Sequence, residues 1–377
     1  MSRRTTVAGL LGAALLAAGC RESVGPDLAN SRMLALAGVG GSAGITLDQQ
    51  NGTLNEGGTM LIKGFNPTNP HLGDAIIATF YWLGSTNIID SVTDVVTDAT
   101  YTPVGNKYTL VEYVTAGGIS MATYVATNVQ NFPDPNPGDI VLAVRANLSQ
   151  PVLDGGVKIS AWSGVDAVSA QPVGSHRSAS GSGSTPTVAA PGAVAIGAGA
   201  LAYAVTMSDG VVPTDPPSGF TSIGGAGSDA YMREDGQYLV SSSVGSVDPQ
   251  WTWNFSSPSA WLASVITLNP PPHLAFTVQP STTLPLLTIQ PAVQLTVLDA
   301  LGNRAATFSG PVTIAIGHNG GLITPGTLSG TKTVTAVNGV ATFSDLSIDQ
   351  PGNGYTLVVS AAGLTSAESA PFNIGAF

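Results

Sequence analysis

Charged residues are scarce in this chain. Asp, Glu, Lys and Arg make up only 9% of its 377 residues, whereas an average soluble domain contains about 25%. The few lysines are scattered along the sequence, and a surface that binds nucleic acid needs Lys and Arg in clusters to neutralise phosphates. Nucleic acid is therefore not expected as a partner. A polar surface must come from Ser, Thr, Asn, Gln and Gly, which is typical of β-structure with many turns.

Cysteine and long apolar runs are also nearly absent. Cys20 is the single cysteine, so no disulfide can form within the chain, and stability must come from the burial of apolar side chains. No segment reaches the roughly 20 apolar residues of a transmembrane helix. Hydrophobic residues make up 43% of the chain, and the length suffices for two ordinary domains.

The N-terminal residues have the pattern of a secretory signal. Arg3 and Arg4 precede an uncharged stretch, Val7–Leu16, which is too short to span a bilayer and is followed by small residues. The run Leu15-Leu16-Ala17-Ala18-Gly19-Cys20 resembles the lipobox of bacterial lipoproteins. The resemblance implies that residues 1–19 are a signal peptide and that the Cys20 sulfur carries a diacylglycerol. We therefore expect a lipid-anchored protein of the bacterial cell envelope, at the outer membrane or on the cell surface.

The chain after the cysteine divides by composition. Residues 20–45 are rich in Gly and weakly patterned, which predicts a flexible tether. In residues 46–270 the apolar segments are short and lie between Gly, Pro, Asn and Asp, which predicts antiparallel β-structure. Asp235-Gly236 predicts a two-residue hairpin turn there. We favour one sandwich over 46–270, and the Gly- and Ser-rich stretch Ser178–Ser184 leaves open a division into two small domains.

The proline run Pro270–Pro272 stiffens the chain and predicts a domain boundary. Beyond it, Asn338-Gly339 predicts a tight turn between paired arms, with Val334 opposite Phe343. Seven strands are expected in residues 271–377. The alternating apolar positions are Leu274/Phe276/Val278, Val293/Leu295/Val297, Val312/Ile314/Ile316, Tyr355/Leu357/Val359 and Phe372/Ile374.

Two resemblances follow from these segments. The segments 274–280, 297–303, 327–330 and 336–348 resemble the bacterial Ig-like repeats of secreted and surface proteins, and Ile159–Asp166 behind a strand resembles jelly-roll-like modules of such proteins. The Ig-like resemblance implies a stalk, spacer or adhesive role without common catalytic residues. We expect Tyr355 to act as a tyrosine corner, its hydroxyl donating to the backbone upstream. The expected fold is all-β: a larger antiparallel jelly-roll-like β-sandwich over 46–270, followed by a seven-stranded Ig-like β-sandwich over 271–377.

Residues suited to catalysis or metal binding are few. Gly40–Gly44 matches the pattern of a hydrolase nucleophile at Ser42, but the flanking strand and helix that such a serine needs are missing. The histidines have no metal-ligand spacing, and we expect solvated loop residues. The chain is predicted not to be an enzyme, with no catalytic residue, no metal site and no cofactor. The histidines are His71, His176, His273 and His318.

Two sets of Asp side chains are candidate ligands for a calcium ion. One set is Asp90, Asp94 and Asp98, and another is Asp134 with Asp139, because hard oxygen ligands suit this ion. Neither set matches a defined calcium loop, and Asp side chains also cap turns through their own backbone. The turn-capping interpretation is favoured.

Aromatic residues alternate in Trp251-Thr-Trp-Asn-Phe255, so a strand would place all three rings on one face. Such a row serves either as a platform for sugar rings or as part of the core, and the core is favoured. We therefore expect a structural or adhesive, protein-interaction role, with a surface protein or glycan as ligand. The second alternative is a carbohydrate-binding surface lipoprotein, and the third is a jelly-roll glycosidase or lyase.

Cys20→Ser should release the protein from the membrane fraction, because durable attachment needs several acyl chains on this one residue. The measurement is the distribution between membrane and soluble fractions after cell lysis, with Ser42→Ala as the control that stays with the membrane. Equal fractionation of Cys20→Ser and the unaltered chain would contradict the lipid anchor.

Overall fold

The computed structural model describes residues 44–133, 140–167, 172–184, 187–209, 219–224, 232–253 and 259–375. These ranges contain strands, turns and bends but no helix, so the predicted all-β class is confirmed. Within them there is accordingly no helix of the length and hydropathy needed to cross a membrane. Cys20, Ser42 and nearly all of the predicted tether lie outside the described residues.

The first sheet is built from residues 46–163 alone. Its strand order is β1-β6-β2-β5-β4, with β3 paired along β6. The first part of β6 pairs with β3 and its last part pairs with β2. Strand β1 pairs with both parts of β6. The six strands are β1 (Thr46–Gly64), β2 (Ala75–Leu83), β3 (Ile89–Val96), β4 (Thr109–Ala116), β5 (Ile119–Ala126) and β6 (Leu142–Ser163).

The first sheet folds back on itself. The register between β1 and β6 shifts repeatedly between Thr53 and Met60, and such bulges bend a paired ribbon. Val144 from the first part of β6 and Ile159 from its last part therefore lie in one core with Ile76. This core covers one face of β2 and β5 and leaves their other face to the second sheet.

The second sheet is built from residues 173–268, in the order β11-β12-β10-β15-β7, and two short ribbons, β9/β13 and β8/β14, accompany it. Its strands are β7 (Val173–Gly183), β8 (Thr187–Ala189), β9 (Val194–Ile196), β10 (Leu201–Ser208), β11 (Thr221–Ile223), β12 (Arg233–Val240), β13 (Gly245–Val247), β14 (Trp251–Trp253) and β15 (Ser259–Leu268).

Strand β10 shows how the layers stack. Tyr203 and Val205 belong to the core that also contains Ile77 and Met121 of the first sheet. Ala202, on the opposite face of β10, packs in a separate core with residues of the short ribbons. Since successive side chains of a strand point to opposite faces, the central strands of both sheets are covered on both faces, which explains why nearly every residue of β2, β5 and β10 is buried.

Residues 273–374 form a C-terminal sandwich. One sheet has the order β16-β17-β21 and the other β20-β18-β24-β25, around a single core. The strands are β16 (His273–Val278), β17 (Val293–Leu298), β18 (Pro311–Ile316), β19 (Leu328–Ser329), β20 (Thr333–Thr335), β21 (Val340–Phe343), β22 (Ser347–Ile348), β23 (Gly352–Tyr355), β24 (Leu357–Ser360), β25 (Ala367–Glu368) and β26 (Phe372–Ile374).

The sandwich has eleven strands where seven were predicted, because several edges are divided into two-residue and three-residue strands. Nearly all the alternating apolar positions lie in its core or pack against it. Tyr355 is fully buried and its hydroxyl donates to the Gln350 carbonyl at 3.1 Å. Asn338 and Gly339 both have positive φ and close a tight turn between Val337 and Val340. The predicted pairing of Val334 with Phe343 is wrong, because the two arms leave the turn for different sheets.

The predicted hairpin turn at Asp235-Gly236 is also wrong. Both residues lie in the middle of the continuous strand β12, paired with Thr206 and Val205 of β10. Gly236 instead lets the Lys158 side chain pack closely against the backbone of β12, because a Cβ built on this glycine would lie 3.2 Å from the Lys158 Cε atom. A strand glycine at such a crossing leaves room for a side chain of the facing layer.

An ion pair crosses the core between the two sheets at this point. The Nζ atom of Lys158, on β6, lies 3.2 Å from Oε1 of Glu234, on β12, and both side chains are completely buried. Lys158 also donates to the Gly224 carbonyl at 3.2 Å, and the Tyr81 hydroxyl donates to Glu234 at 3.4 Å. Buried charges are tolerated only when they are paired and hydrogen-bonded, so the two sheets have one favourable relative position.

Lys158→Met should lower the free energy of unfolding by about 3–5 kcal/mol, because it leaves the Glu234 charge buried without a counter-charge. Lys158→Met combined with Glu234→Gln should recover most of the loss, since Gln is neutral and still accepts from Tyr81. Urea denaturation of the two variants tests this. A double variant as unstable as Lys158→Met would show that the lost charge pairing is not the cause.

Candidate functional site

The far end of the C-terminal sandwich carries a group of exposed apolar side chains. The near end is where Ala198 donates to the Ala300 carbonyl at 3.0 Å and where β16 begins. Strands β16 and β18 both begin at the near end and run towards the opposite end. The loop after Val278 and the loop after Ile316 therefore lie at that opposite, far end. We define the distal surface as the large exposed side chains of these two loops: Leu284, Leu286, Leu287, Leu322 and Ile323.

Both loops of the distal surface are hydrogen-bonded to the same short segment. Leu286 donates to the Ile348 carbonyl at 2.8 Å, and Leu322 donates to the Pro351 carbonyl at 3.2 Å. Three peptide units separate the two acceptors, a span of no more than about 11 Å. Residues 279–291 and 319–327 contain no charged side chain, and the neighbouring Asp349 carboxylate accepts from the Thr327 backbone N–H at 2.7 Å. Single exposed apolar residues are ordinary, and this group is a candidate interaction surface because apolar patches without charges are typical of such surfaces.

A second candidate site lies where β1 and β2 begin. Asp48, His71 and Asp74 bring potential metal-ligand atoms within 4.8 Å of one another, and they form the only such group of His, Cys, Asp and Glu in the described ranges. The His71 Nδ1 atom lies 3.0 Å from Asp48 Oδ2. The His71 ring is 68% exposed, whereas the Asp48 side chain is 13% exposed and Asp74 is buried.

The backbone holds these three residues in place. The His71 backbone N–H donates to Asp48 Oδ2 at 3.0 Å and to Asp74 Oδ2 at 3.2 Å. Asp48 is the extra residue of a bulge opposite Trp162 and Ala161, and a bulge re-aims the side chain it carries. Burial, together with the adjacent Asp48 carboxylate, raises the pKa of Asp74 from 3.8 to about 8. The two carboxylates thus lie in mutual contact in a poorly solvated position.

A third polar group is buried behind the second sheet. The Trp251 indole N–H donates to Asp235 Oδ2 at 2.7 Å, and both residues are buried. Burial raises the pKa of Asp235 from 3.8 to about 6, although the Trp251 hydrogen bond lowers it. Trp251 is therefore a core residue, as favoured from the sequence, and it is not available as a sugar platform. The Trp253 side chain and Phe255 lie outside the described residues.

The residues considered for calcium are not gathered into a site. The Asp94 carboxylate accepts from the Gly105 and Asn106 backbone N–H groups at 3.0 and 3.2 Å. Asp98 accepts in the same way from Thr100 and Thr102. The Asp98 contacts are the turn-capping contacts that Asp side chains make with nearby backbone, whereas Asp94 joins β3 to a loop 11 to 12 residues further along the chain. Asp134 and Asp139 lie outside the described residues.

Two histidines, His176 and His273, lie on strands instead of in loops, and His71 is an exposed loop residue whose ring also contacts a carboxylate. The His71 ring contacts Asp48, and the His176 ring, on β7, lies 2.6 Å from Glu112 on β4. His273 begins strand β16. The separation of Asp48 from His71 by 23 residues gave no local signal for the metal-ligand group, and only the short spacing from His71 to Asp74 was visible in the sequence.

No protein-family model, no curated protein and no solved structure matches this chain.

Asp235→Asn should remove a pH-dependent part of the stability. Between about pH 4 and pH 6 the folded chain keeps a proton on Asp235 that the unfolded chain has lost, so this residue makes the folded state more stable as the pH falls through that window. The difference in unfolding free energy between Asp235→Asn and the unaltered chain should change by up to about 3 kcal/mol between pH 7 and pH 4. Urea denaturation at both pH values measures it, and a constant difference would contradict the assignment.

Proposed function

We propose that the chain is a lipid-anchored cell-envelope protein with a structural and adhesive role and without catalytic activity. Its distal surface binds an apolar patch of another envelope or matrix protein. The observation that carries this proposal is the uncharged group Leu284, Leu286, Leu287, Leu322 and Ile323 at the free end of the C-terminal sandwich. Apolar surface exposed in this way gains free energy when a partner removes it from water.

The architecture supports a spacer role for the rest of the chain. We assign residues 271–377 to an Ig-like fold, because two sheets enclose one core and Tyr355 makes the contact expected of a tyrosine corner. Residues 46–270 are assigned to a jelly-roll-like sandwich with additional layers. A body with stacked cores and a buried ion pair between sheets is stiff enough to present one end to a partner.

Carbohydrate binding is the second candidate function, and one cleft favours it. A cleft of about 630 Å³ lies beside the loop after β5 and the start of β7. Amide and hydroxyl groups of the kind that pair with sugar hydroxyls line it, together with one lysine. These residues are Asn106, Lys107, Thr109, Asn128, Gln130 and Asn131.

Leu286→Asn combined with Leu322→Ser and Ile323→Ser should lower binding to protein ligands at least about tenfold, because most of the apolar contact is lost. Asn suits the positive φ at position 286, and exposed substitutions change stability by about 0.5 kcal/mol or less. The full chain in detergent micelles is applied to an array of purified matrix and envelope proteins and of glycans.

The matched control is Leu153→Ser, which removes a 97% exposed leucine from the first sheet and should leave binding unchanged. Protein binding that persists in the triple variant would contradict the proposed role of the distal surface. Binding confined to glycans and abolished by Lys107→Ala with Thr109→Ala would instead establish the carbohydrate alternative.

A further inference from the structure

We infer that Asp48, His71 and Asp74 form a binding site for a divalent transition-metal ion, with Zn²⁺ the ion that suits the ligand set best. The inference is independent of the proposed adhesive role. It depends on three side chains of two chemical kinds whose ligand atoms already lie within 4.8 Å of one another.

The chemistry of the donors selects the class of ion. One imidazole nitrogen and two carboxylate oxygens are ligands that Zn²⁺ takes together, commonly with water in the fourth position. Ca²⁺ and Mg²⁺ prefer sets made of oxygen alone, and Ca²⁺ needs six to eight of them. The exposed His71 ring leaves one side of the group open to solvent, so a water molecule can complete the coordination.

The geometry requires side-chain movements of roughly 1 Å, because the ligand atoms lie within 4.8 Å of one another. In a tetrahedral zinc site the metal–ligand distances are about 2.0–2.2 Å, and the ligand atoms therefore lie roughly 3.5 Å apart. His71 Nδ1 and Asp48 Oδ2 are 3.0 Å apart, so they would separate slightly to admit the ion. The positioning contacts come from the backbone: the His71 N–H donates to both carboxylates, and Asp74 donates to the His71 carbonyl at 3.2 Å.

The surroundings of the two carboxyl groups also suit a cation. Two carboxylates lie together with little access to solvent, and in the described part of the chain no lysine or arginine pairs with either of them. Asp74 is fixed from its other side, because Val129 donates to the Asp74 carbonyl and Gly73 donates to the Val129 carbonyl, both at 2.9 Å. These backbone contacts hold the turn in place, so the two carboxyl groups stay close enough for one cation to contact both.

The test is isothermal titration calorimetry on the full chain, purified in detergent micelles and stripped with a chelator. We expect one equivalent of Zn²⁺ to bind with a Kd below about 10 μM, a much weaker response to Ca²⁺, and a rise in Tm on addition of Zn²⁺. His71→Ala, Asp48→Asn and Asp74→Asn should each weaken binding by about 10- to 100-fold or more. Asp90→Asn, which alters an exposed carboxylate on β3, is the matched control and should bind as the unaltered chain does.

The exposed position of His71 makes its variant the decisive one, because removing this ring does not disturb the core. Absence of Zn²⁺ binding by the unaltered chain, or binding that survives His71→Ala and Asp48→Asn unchanged, would overturn the site. Tight binding of Ca²⁺ without binding of Zn²⁺ would overturn the assigned class of ion. If Asp74→Asn proves unfolded by circular dichroism, the other two ligand variants still decide the question.

Discussion

The arrangement of the two large sheets depends on one buried contact, the ion pair between Lys158 and Glu234. Each charge would be very unfavourable alone in an apolar core, and each is satisfied only when the sheets are in register. The neighbouring sequence is adapted to this contact: Gly236 leaves space for the lysine stem, and Tyr81 donates to the carboxylate. A relative shift of the sheets that separated the two groups would leave both charges buried and unpaired.

The candidate sites lie on elements that this arrangement fixes. Asp48 and Asp74 flank the last residues of β6, so the same strand that carries Lys158 positions the metal-ligand group. The distal surface belongs to loops beyond the C-terminal sandwich, whose near end is attached to the second sheet through Ala198 and Ala300. Gly197 is needed at that attachment, because a Cβ there would lie 2.5 Å from the Ala300 oxygen. The proposed metal site beside the end of β6 and the proposed binding surface on the distal loops are thus separate parts of one framework.

The sequence predicted what is local and missed what depends on crossings between distant segments. Short apolar segments between turn residues were enough to predict the all-β class, and Asn338-Gly339 formed its turn because both residues take positive φ. Asp235-Gly236 has the same turn chemistry, yet here the glycine accommodates Lys158 and the aspartate accepts from Trp251. No local pattern distinguishes these two uses. The group of Asp48 with His71 depends on the bulge in β1 and on the pairing of both β1 and β2 with β6, which only the tertiary structure defines.

The division of the sheets along the chain has a consequence for the order of assembly. Every strand pairing of the first sheet lies within residues 46–163, so a chain that emerges with its N-terminus first can complete this sheet before the second exists. Without β12 the ammonium group of Lys158 would have no counter-charge from the second sheet, and a hydrated charge on an apolar face disfavours association with other chains. In the complete fold Glu234 pairs with this ammonium group and both side chains are buried. The same lysine would therefore contribute to solubility before the second sheet packs and to the contact between the sheets afterwards.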